Sequence, residues 1–174
     1  TFKLRRGIKG PTGNEMSADD WVWSWDKSFA QKRTGNFIAR VSNVTTSGGG
    51  VEKIDDYTVK FHLDGPSSIL LKAITLYTPS IYDSKITKDQ ATADDPFATK
   101  WILKNTAGFG AYHMSELKPG EQAVFTANPN YFGDKPYFDR VVYRMVPSGA
   151  SRLTLLRAGQ IHIAENMTAQ QLNE

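Results

Sequence analysis

The sequence comprises 174 residues, of which 40% are hydrophobic and 22% charged, a composition typical of globular domains. Its 21 basic and 18 acidic residues are interleaved, so the net charge of +3 does not indicate the one-sided basic surface that binds nucleic acid. The absence of cysteine excludes disulfides, thiolate metal sites and a cysteine nucleophile. No apolar run reaches the roughly 18 residues that a membrane-spanning helix needs, so we expect no direct membrane insertion.

The first residues, TFKL, alternate polar and apolar side chains as a β-strand does, and no initiator methionine precedes them. We therefore expect the chain to be a piece of a longer protein. The lack of a targeting signal in such a piece leaves the compartment of that protein open. Glycine, proline and threonine cluster at residues 7–13 and predict a loop after this strand.

A helix is predicted after the loop, because Ser17 and Asp20 have the spacing of a capping box. Apolar side chains then recur at helical spacing, at Ala18, Trp21, Val22, Trp25 and Phe29. The indoles of Trp21 and Trp25 share this face and are predicted to be core. Trp23 lies off the face, which makes it the better candidate for contact with a ligand or partner.

The middle of the chain predicts a hairpin followed by short elements. Residues 51–63 contain an Asp-Asp turn followed by alternating polar and apolar side chains, which is typical of a β-hairpin. Ser67 is predicted to cap a short helix, and residues 77–92 are predicted to be irregular. The DDP run at residues 94–96 predicts another helix start, since aspartate suits the cap and proline lacks an N–H that the first turn does not need.

Motifs are densest in the second half of the chain. Gly108 and Gly110 bracket Phe109, which predicts a backbone that takes unusual angles at a hinge or close to a ligand. Alternating segments on either side of a Pro-Gly turn predict a second hairpin at residues 112–126. Residues 140–163 have the pattern of a strand, a helix and a strand, which favours a parallel crossover.

In this order the segments resemble the solute-binding proteins of ABC transporters, specifically the extracellular family 5 that captures dipeptides and oligopeptides. The segments that carry the resemblance are TFKLRRGIK, MSADDWVWSWD, VEKIDDYTVKFHL, GFGAY, ELKPGEQAVFTANPNYFG and DRVVYRMVPSGASRLTLLRAGQIHIA. None is specific alone, but their common order and spacing are. Ala111 departs from the commoner proline, Phe132 from tryptophan, and residues 160–162 from an acidic pattern, which leaves the subfamily and the ligand open.

The resemblance implies an α/β (α+β) fold, part of the two-lobed clamshell of type II periplasmic binding proteins. It assigns residues 1–18 to a strand and loop leading in from the larger subdomain of the first lobe. Residues 19–133 would form the smaller subdomain, and residues 134–174 the return into the larger, Rossmann-like subdomain. The second lobe is then absent. The strands at residues 140–146 and 161–163 would lose sheet partners from absent sequence, which leaves unpaired edges and an exposed apolar face.

The implied function is that of the extracytoplasmic component of an ABC importer, which captures a peptide by lobe closure and delivers it to membrane permease subunits. The location would be the periplasm, or the cell surface for a lipoprotein attached to the membrane. No cofactor, metal or catalytic residue is expected. Oligosaccharide or metal-chelate cargo is an alternative within the same family.

The resemblance implies few ligand contacts in this part of the fold. The candidates are Asn36 and Phe37 in the loop after the first helix, and Gly108, Phe109, Gly110 and Tyr112 at the crossover. That Phe109 and Tyr112 are simply turn or core residues is an equally open interpretation.

Two other classes of protein fit parts of the sequence. Carboxylate pairs at residues 19–20, 55–56 and 94–95 would suit a hydrolase, but cap or turn chemistry already explains each pair. The three histidines lie on separate predicted strands without metal-ligand spacing. In a carbohydrate-binding module, the stacking surface would be Trp23, Tyr131, Phe132 and Tyr137.

Overall fold

The computed structural model describes residues 1–46, 49–76 and 80–172. Its helices and strands, in chain order, are β1 (Phe2–Lys3), α1 (Ala18–Gln31), α2 (Thr34–Val41), β2 (Val51–Asp55), β3 (Thr58–Phe61), α3 (Leu70–Ala73), α4 (Ser84–Asp89), α5 (Thr99–Ile102), β4 (Tyr112–Lys118), β5 (Gln122–Ala127), β6 (Arg140–Arg144), α6 (Gly149–Arg157) and α7 (Ala169–Leu172). The strands of this part form two three-stranded antiparallel sheets, ordered β1-β3-β2 and β4-β5-β6.

The first sheet is built on the predicted hairpin. β2 and β3 pair with Val51 opposite Phe61, and the carboxylate of Asp55 accepts a hydrogen bond of 2.8 Å from the N–H of Tyr57 in the turn. β1 adds to the other edge of β3, with Phe2 opposite Val59. The hairpin prediction is confirmed, and the amino-terminal strand is fixed by a partner more than fifty positions away.

α1 covers this sheet and contributes the main core. The Asp20 carboxylate accepts a hydrogen bond of 2.7 Å from the N–H of Ser17, which is the reciprocal half of the predicted capping box. Trp25 is 1% exposed and packs edge-on against Phe61 at 5.1 Å between ring centroids. The prediction that α1 buries Trp25 is confirmed.

The prediction for Trp23 is wrong, because α1 buries a second face as well. The indole of Trp23 is 7% exposed and packs edge-on against Tyr82 and Phe97, at 6.1 and 5.7 Å between ring centroids. Tyr82 lies in the segment predicted to be irregular, and Phe97 directly follows the DDP run. A helix covered on two sides needs apolar residues off its main stripe.

The prediction that residues 77–92 are irregular is wrong in part. Tyr77, Thr78 and Pro79 lie outside the described residues, but α4 begins shortly after them. Its cap is Asp83, whose carboxylate accepts hydrogen bonds from the N–H groups of Lys85 and Ile86 at 3.1 and 3.2 Å. The helix has six residues, too few for an apolar period to show in the sequence.

The helix predicted to start at residues 94–96 begins later, with Ala98 at its N-cap position, and Asp95 satisfies its first N–H groups from outside the helix. Its carboxylate accepts hydrogen bonds from the N–H groups of Thr99 and Lys100 at 2.9 and 2.8 Å. Phe97 therefore precedes α5.

The predicted parallel crossover is wrong. β6 pairs antiparallel with β5, with Val142 opposite Val124, and residues 161–163 form no strand in the described part of the chain. An extended segment needs a partner strand for its backbone hydrogen bonds, and none of the described residues supplies one here. Ile163 is accordingly 80% exposed.

The surface of the second sheet is apolar at β6. The side chains of Val141, Val142, Tyr143 and Met145 are between 40% and 58% exposed. This exposed apolar face was expected, but the partner of β6 was not, since β5 lies in the same chain. The β4-β5-β6 sheet thus joins residues on both sides of the predicted boundary at residue 133.

Candidate functional site

The candidate segment at residues 108–112 lies against the loop that follows β1. Phe109 is 8% exposed and packs with Ile8 and Met16 in a small apolar cluster of its own. Gly10 lies beside this segment, since a Cβ atom at position 10 would lie 3.4 Å from the carbonyl oxygen of Gly108, at ordinary van der Waals distance. This junction brings the start of the chain against the segment that leads into β4.

Two asparagines after β5 fasten this junction. The amide nitrogen of Asn128 donates hydrogen bonds to the carbonyl oxygens of Lys9 and Gly110, at 3.1 and 3.0 Å. Its amide oxygen accepts one of 2.9 Å from the N–H of Asn130, whose own amide nitrogen donates to the carbonyl of Gly10 at 3.1 Å. Asn128 is 2% exposed, so its amide replaces water for carbonyls of two distant segments.

Sequence reasoning missed this role of Asn128. The Asn-Pro-Asn turn was a visible signal, but asparagines in turns usually satisfy their own backbone. Asn128 does so through Asn130, and the partners that fasten the junction lie 18 and 119 positions away.

Buried polar groups tie α1 and α4 to the same junction. The Asp83 carboxylate accepts a hydrogen bond of 2.9 Å from the amide of Asn14, and the Asp83 N–H donates to the carbonyl of Ala107 at 2.7 Å. The second carboxylate oxygen of Asp20 accepts from the N–H of Ser84 at 2.7 Å. The junction is therefore held from both the α1 side and the β5 side.

Gly108 and Gly110 do not take the unusual backbone angles predicted for them. Neither has a positive φ, and a Cβ atom at Gly108 would meet nothing within 4 Å. Tyr112, the neighbouring candidate, is half-buried, and its hydroxyl donates a hydrogen bond of 2.9 Å to the carbonyl of Phe138.

Asn36 and Phe37 lie on α2 rather than in a loop. They line a surface groove of about 510 Å³ together with Lys32, Arg33, Arg40 and Val41. The ring of Phe37 is 62% exposed. The groove contains none of the residues at 108–112, so the structure unites the candidates at the crossover and leaves the α2 pair apart from them.

A larger groove of about 630 Å³, missed in the sequence, lies between α1 and the β2-β3 hairpin. Its wall holds an ion-paired Lys53, whose ammonium lies 2.7 Å from Asp19 and 2.8 Å from Asp56. These hydrogen bonds raise the pKa of Lys53, whereas burial raises the pKa of Asp26 in the same wall. His62 and Glu52 form a second pair there, at 2.7 Å.

The carboxylate pairs have structural partners. Asp19 pairs with Lys53, and Asp20 is buried in the capping box. Hydrogen bonds from backbone N–H groups lower the pKa of Asp55 and of Asp95 below the ordinary aspartate value. Within the described ranges, no three acidic or histidine side chains come together in a way that could hold a metal ion.

The proposed stacking surface for a sugar is not assembled as one platform. Trp23 is buried, while Tyr131 and Phe132 contact each other at 4.8 Å and Arg5 covers the Phe132 ring at 5.0 Å. Tyr137 is 92% exposed and contacts Phe138 instead.

Comparison with known proteins identifies the class to which this architecture belongs. Residues 1–174 match the family described as bacterial extracellular solute-binding proteins, family 5 Middle, and the chain belongs to that family. Its fold is that of the type II periplasmic binding proteins, with mixed helices and small antiparallel sheets.

Particular relatives show the range of the likeness. The probable D,D-dipeptide-binding periplasmic protein DdpA of Escherichia coli K12 is 36% identical over 123 residues, which are 71% of this chain and 23% of DdpA. The oligopeptide-binding protein AppA of Bacillus subtilis, solved with a nonapeptide, superposes with a TM-score of 0.72 at 26% identity, covering 91% of this chain and 30% of AppA. MoaA of A. tumefaciens R10, solved with mannopinic acid, gives 0.75 at 28% identity, covering 92% and 30%.

The chain thus spans roughly a quarter to a third of the length of these relatives. None of the helices in the described residues is long and apolar enough to cross a membrane.

Proposed function

We propose that the chain forms part of the first lobe of an extracytoplasmic solute-binding protein, which captures a peptide and delivers it to the permease of an ABC importer. The observation that carries the proposal is the family match over all 174 residues. The names of DdpA and AppA, which specify dipeptide and oligopeptide binding, support peptide as the cargo. The relatives named above are binding proteins, which supports a role without catalysis.

In this proposal the ligand is enclosed between two lobes, of which this chain supplies part of one. Closure expels water from the cleft, and the ligand shifts the equilibrium from the open to the closed form because it contacts both lobes. Residues 1–18 and 134–174 would belong to the larger subdomain and residues 19–133 to the smaller one. The junction at Asn128 fastens residues 9–10 of the first segment to residue 110 of the proposed smaller subdomain, which supports close packing of the two parts.

The cargo contacts of this chain remain a proposal at residue level. At the crossover the candidates are the backbone of Gly108 and Gly110 and the ring of Tyr112, while the burial of Phe109 favours a packing role for it. Asn36 and Phe37 form a second, separate candidate pair. Substitution of Tyr112 by alanine should weaken peptide binding if residues 108–112 face the cleft.

A thermal-shift screen of the full-length protein tests the cargo class. Short peptides should raise the melting temperature, because a ligand that binds the folded state alone stabilises it by mass action. Oligosaccharides, sugar acids such as mannopinic acid, and a nickel–histidine chelate form the comparison arms. If one of these compounds raises the melting temperature and no peptide does, that compound's class is the cargo and the peptide proposal is wrong.

Location is the last part of the proposal. A periplasmic site is supported by the name of DdpA, and attachment to the membrane through a lipid is the alternative. Fractionation of cells that express the full-length protein, before and after treatment with detergent, separates the two.

A further inference from the structure

The groove on α2 concentrates positive charge. Its six lining residues are Lys32, Arg33, Asn36, Phe37, Arg40 and Val41, of which three are cationic and none acidic. Elsewhere the 21 basic and 18 acidic residues of the chain are interleaved. The groove therefore has a one-signed potential that the composition does not suggest.

These three cations have no internal counter-charge. Within residues 1–46, 49–76 and 80–172, no carboxylate lies within 4.0 Å of the charged groups of Lys32, Arg33 or Arg40. The contrast is Lys53, which two carboxylates hold at 2.7 and 2.8 Å. The charged groups of the α2 groove remain available to a partner.

Apolar surface lies between the cations. Phe37 and Val41 are 62% and 43% exposed and stand one helical turn apart, with Arg33 one turn before them. Exposed aromatic side chains next to arginine are the composition that protein interfaces favour. The groove thus combines an apolar contact with surrounding positive charge.

We propose that the α2 groove docks an acidic segment of a partner protein that inserts an apolar side chain between Phe37 and Val41. Charge complementarity selects the acidic partner, since the groove has three cations and no acid. The exposed apolar side chains of Phe37 and Val41 between the cations favour a protein segment that carries both acidic and apolar side chains. Asn36 and Phe37 of this groove are also candidate cargo contacts, so competition with a cargo peptide distinguishes the two uses.

The test uses the full-length protein and a labelled peptide of glutamates around a central leucine, acetylated and amidated at its ends. We expect binding in a fluorescence anisotropy titration, weakened about tenfold in the double variant Arg33→Glu, Arg40→Glu and less in Arg33→Gln, Arg40→Gln. Raising the salt concentration should weaken it further, because exposed charges are screened. A variant Lys72→Glu, Lys104→Glu serves as the matched control, since both lysines are exposed and lie outside the groove.

Each alternative has its own outcome. The proposal is overturned if the two groove variants bind the peptide as the wild type does, or if the Lys72, Lys104 control loses as much affinity as they do. It is equally overturned if the same peptide with glutamine in place of glutamate binds as tightly. It is also overturned if the peptide does not bind while vesicles of phosphatidylglycerol do, in a manner that depends on Arg33. Excess trialanine, a cargo-like peptide, should not displace the acidic peptide. Displacement would show that the acidic peptide binds in the cargo cleft. Circular dichroism of each variant verifies that it is folded.

Discussion

The amide of Asn128 and the carbonyl oxygen of Gly110 are joined by a hydrogen bond of 3.0 Å, and the same amide nitrogen reaches the carbonyl of Lys9 at 3.1 Å. One buried side chain therefore links the loop after β1, the segment before β4 and the turn after β5. In the proposed function the loop after β1 belongs to the larger subdomain, and the other two segments belong to the smaller one. The two sheets also join the proposed parts, through the pairing of β1 with β3 and of β5 with β6.

Substitution of Asn128 by alanine should destabilise the protein by about 2 to 3 kcal/mol, because the carbonyls of Lys9 and Gly110 lose their buried donor. Urea denaturation of the full-length protein measures the free energy of unfolding. Asn105→Ala is the matched control, since the Asn105 side chain is exposed and makes a single bond of 2.9 Å to the carbonyl of Trp101. Equal effects of the two substitutions would show that the junction contributes no special stability.

Trp25→Ala should cost about 3 to 5 kcal/mol, since the indole is 1% exposed and fills the space between α1 and the first sheet. Tyr137→Ala, at a side chain that is 92% exposed, should change the stability of the 174-residue chain by less than about 0.5 kcal/mol. Thermal or urea unfolding of both variants checks the difference. A small effect at Trp25 would mean that the core lies elsewhere.

The helix cap at Asp95 predicts a dependence of stability on pH. Hydrogen bonds from the N–H groups of Lys100 and Thr99 lower the pKa of Asp95 in the folded state. Its contribution is therefore present above the unfolded pKa of about 3.9 and is lost as pH falls through the lower folded pKa. The melting temperature of Asp95→Ala should lie below that of the wild type at pH 7, and the gap should narrow as the pH falls below about 4.

Asp94→Ala is the control for this prediction, because the neighbouring Asp94 caps no helix in the described residues. Its melting temperature should follow that of the wild type over the same pH range. A gap between wild type and Asp95→Ala that stays constant down to pH 2 would contradict the role of the ionised carboxylate.

The exposed apolar face of β6 predicts a contact in the longer protein. If residues 134–174 belong to the larger subdomain, Val141, Tyr143 and their neighbours pack against sequence outside this chain. The β6 amides that do not pair with β5 should then exchange hydrogen more slowly in the full-length protein than in the 174-residue chain. Equal exchange rates in the two would count against the proposed domain division.

Local features were predictable from the sequence because their causes are local. The capping pair of Ser17 and Asp20 and the β2-β3 hairpin depend on neighbouring residues, and both form as expected. The helix capped by Asp83 was missed, since six residues show no period.

The other wrong predictions concern features that depend on tertiary packing. Trp23 lies off the main apolar stripe of α1, and its burial depends on Tyr82 and Phe97, which no periodicity connects to it. The predicted parallel crossover followed from the order of a strand, a helix and a strand. Among the described residues, 161–163 form no strand, and β6 pairs antiparallel with β5 along one edge.

Calorimetric titration with short peptides tests the central claim most directly. The full-length protein should bind a peptide of its cargo class with micromolar or tighter affinity, whereas the 174-residue chain, which supplies part of one lobe, should show no such binding. Capture by closure of two lobes would be contradicted if no peptide binds a full-length protein that unfolds cooperatively. It would also be contradicted if the 174-residue chain alone binds a peptide equally tightly.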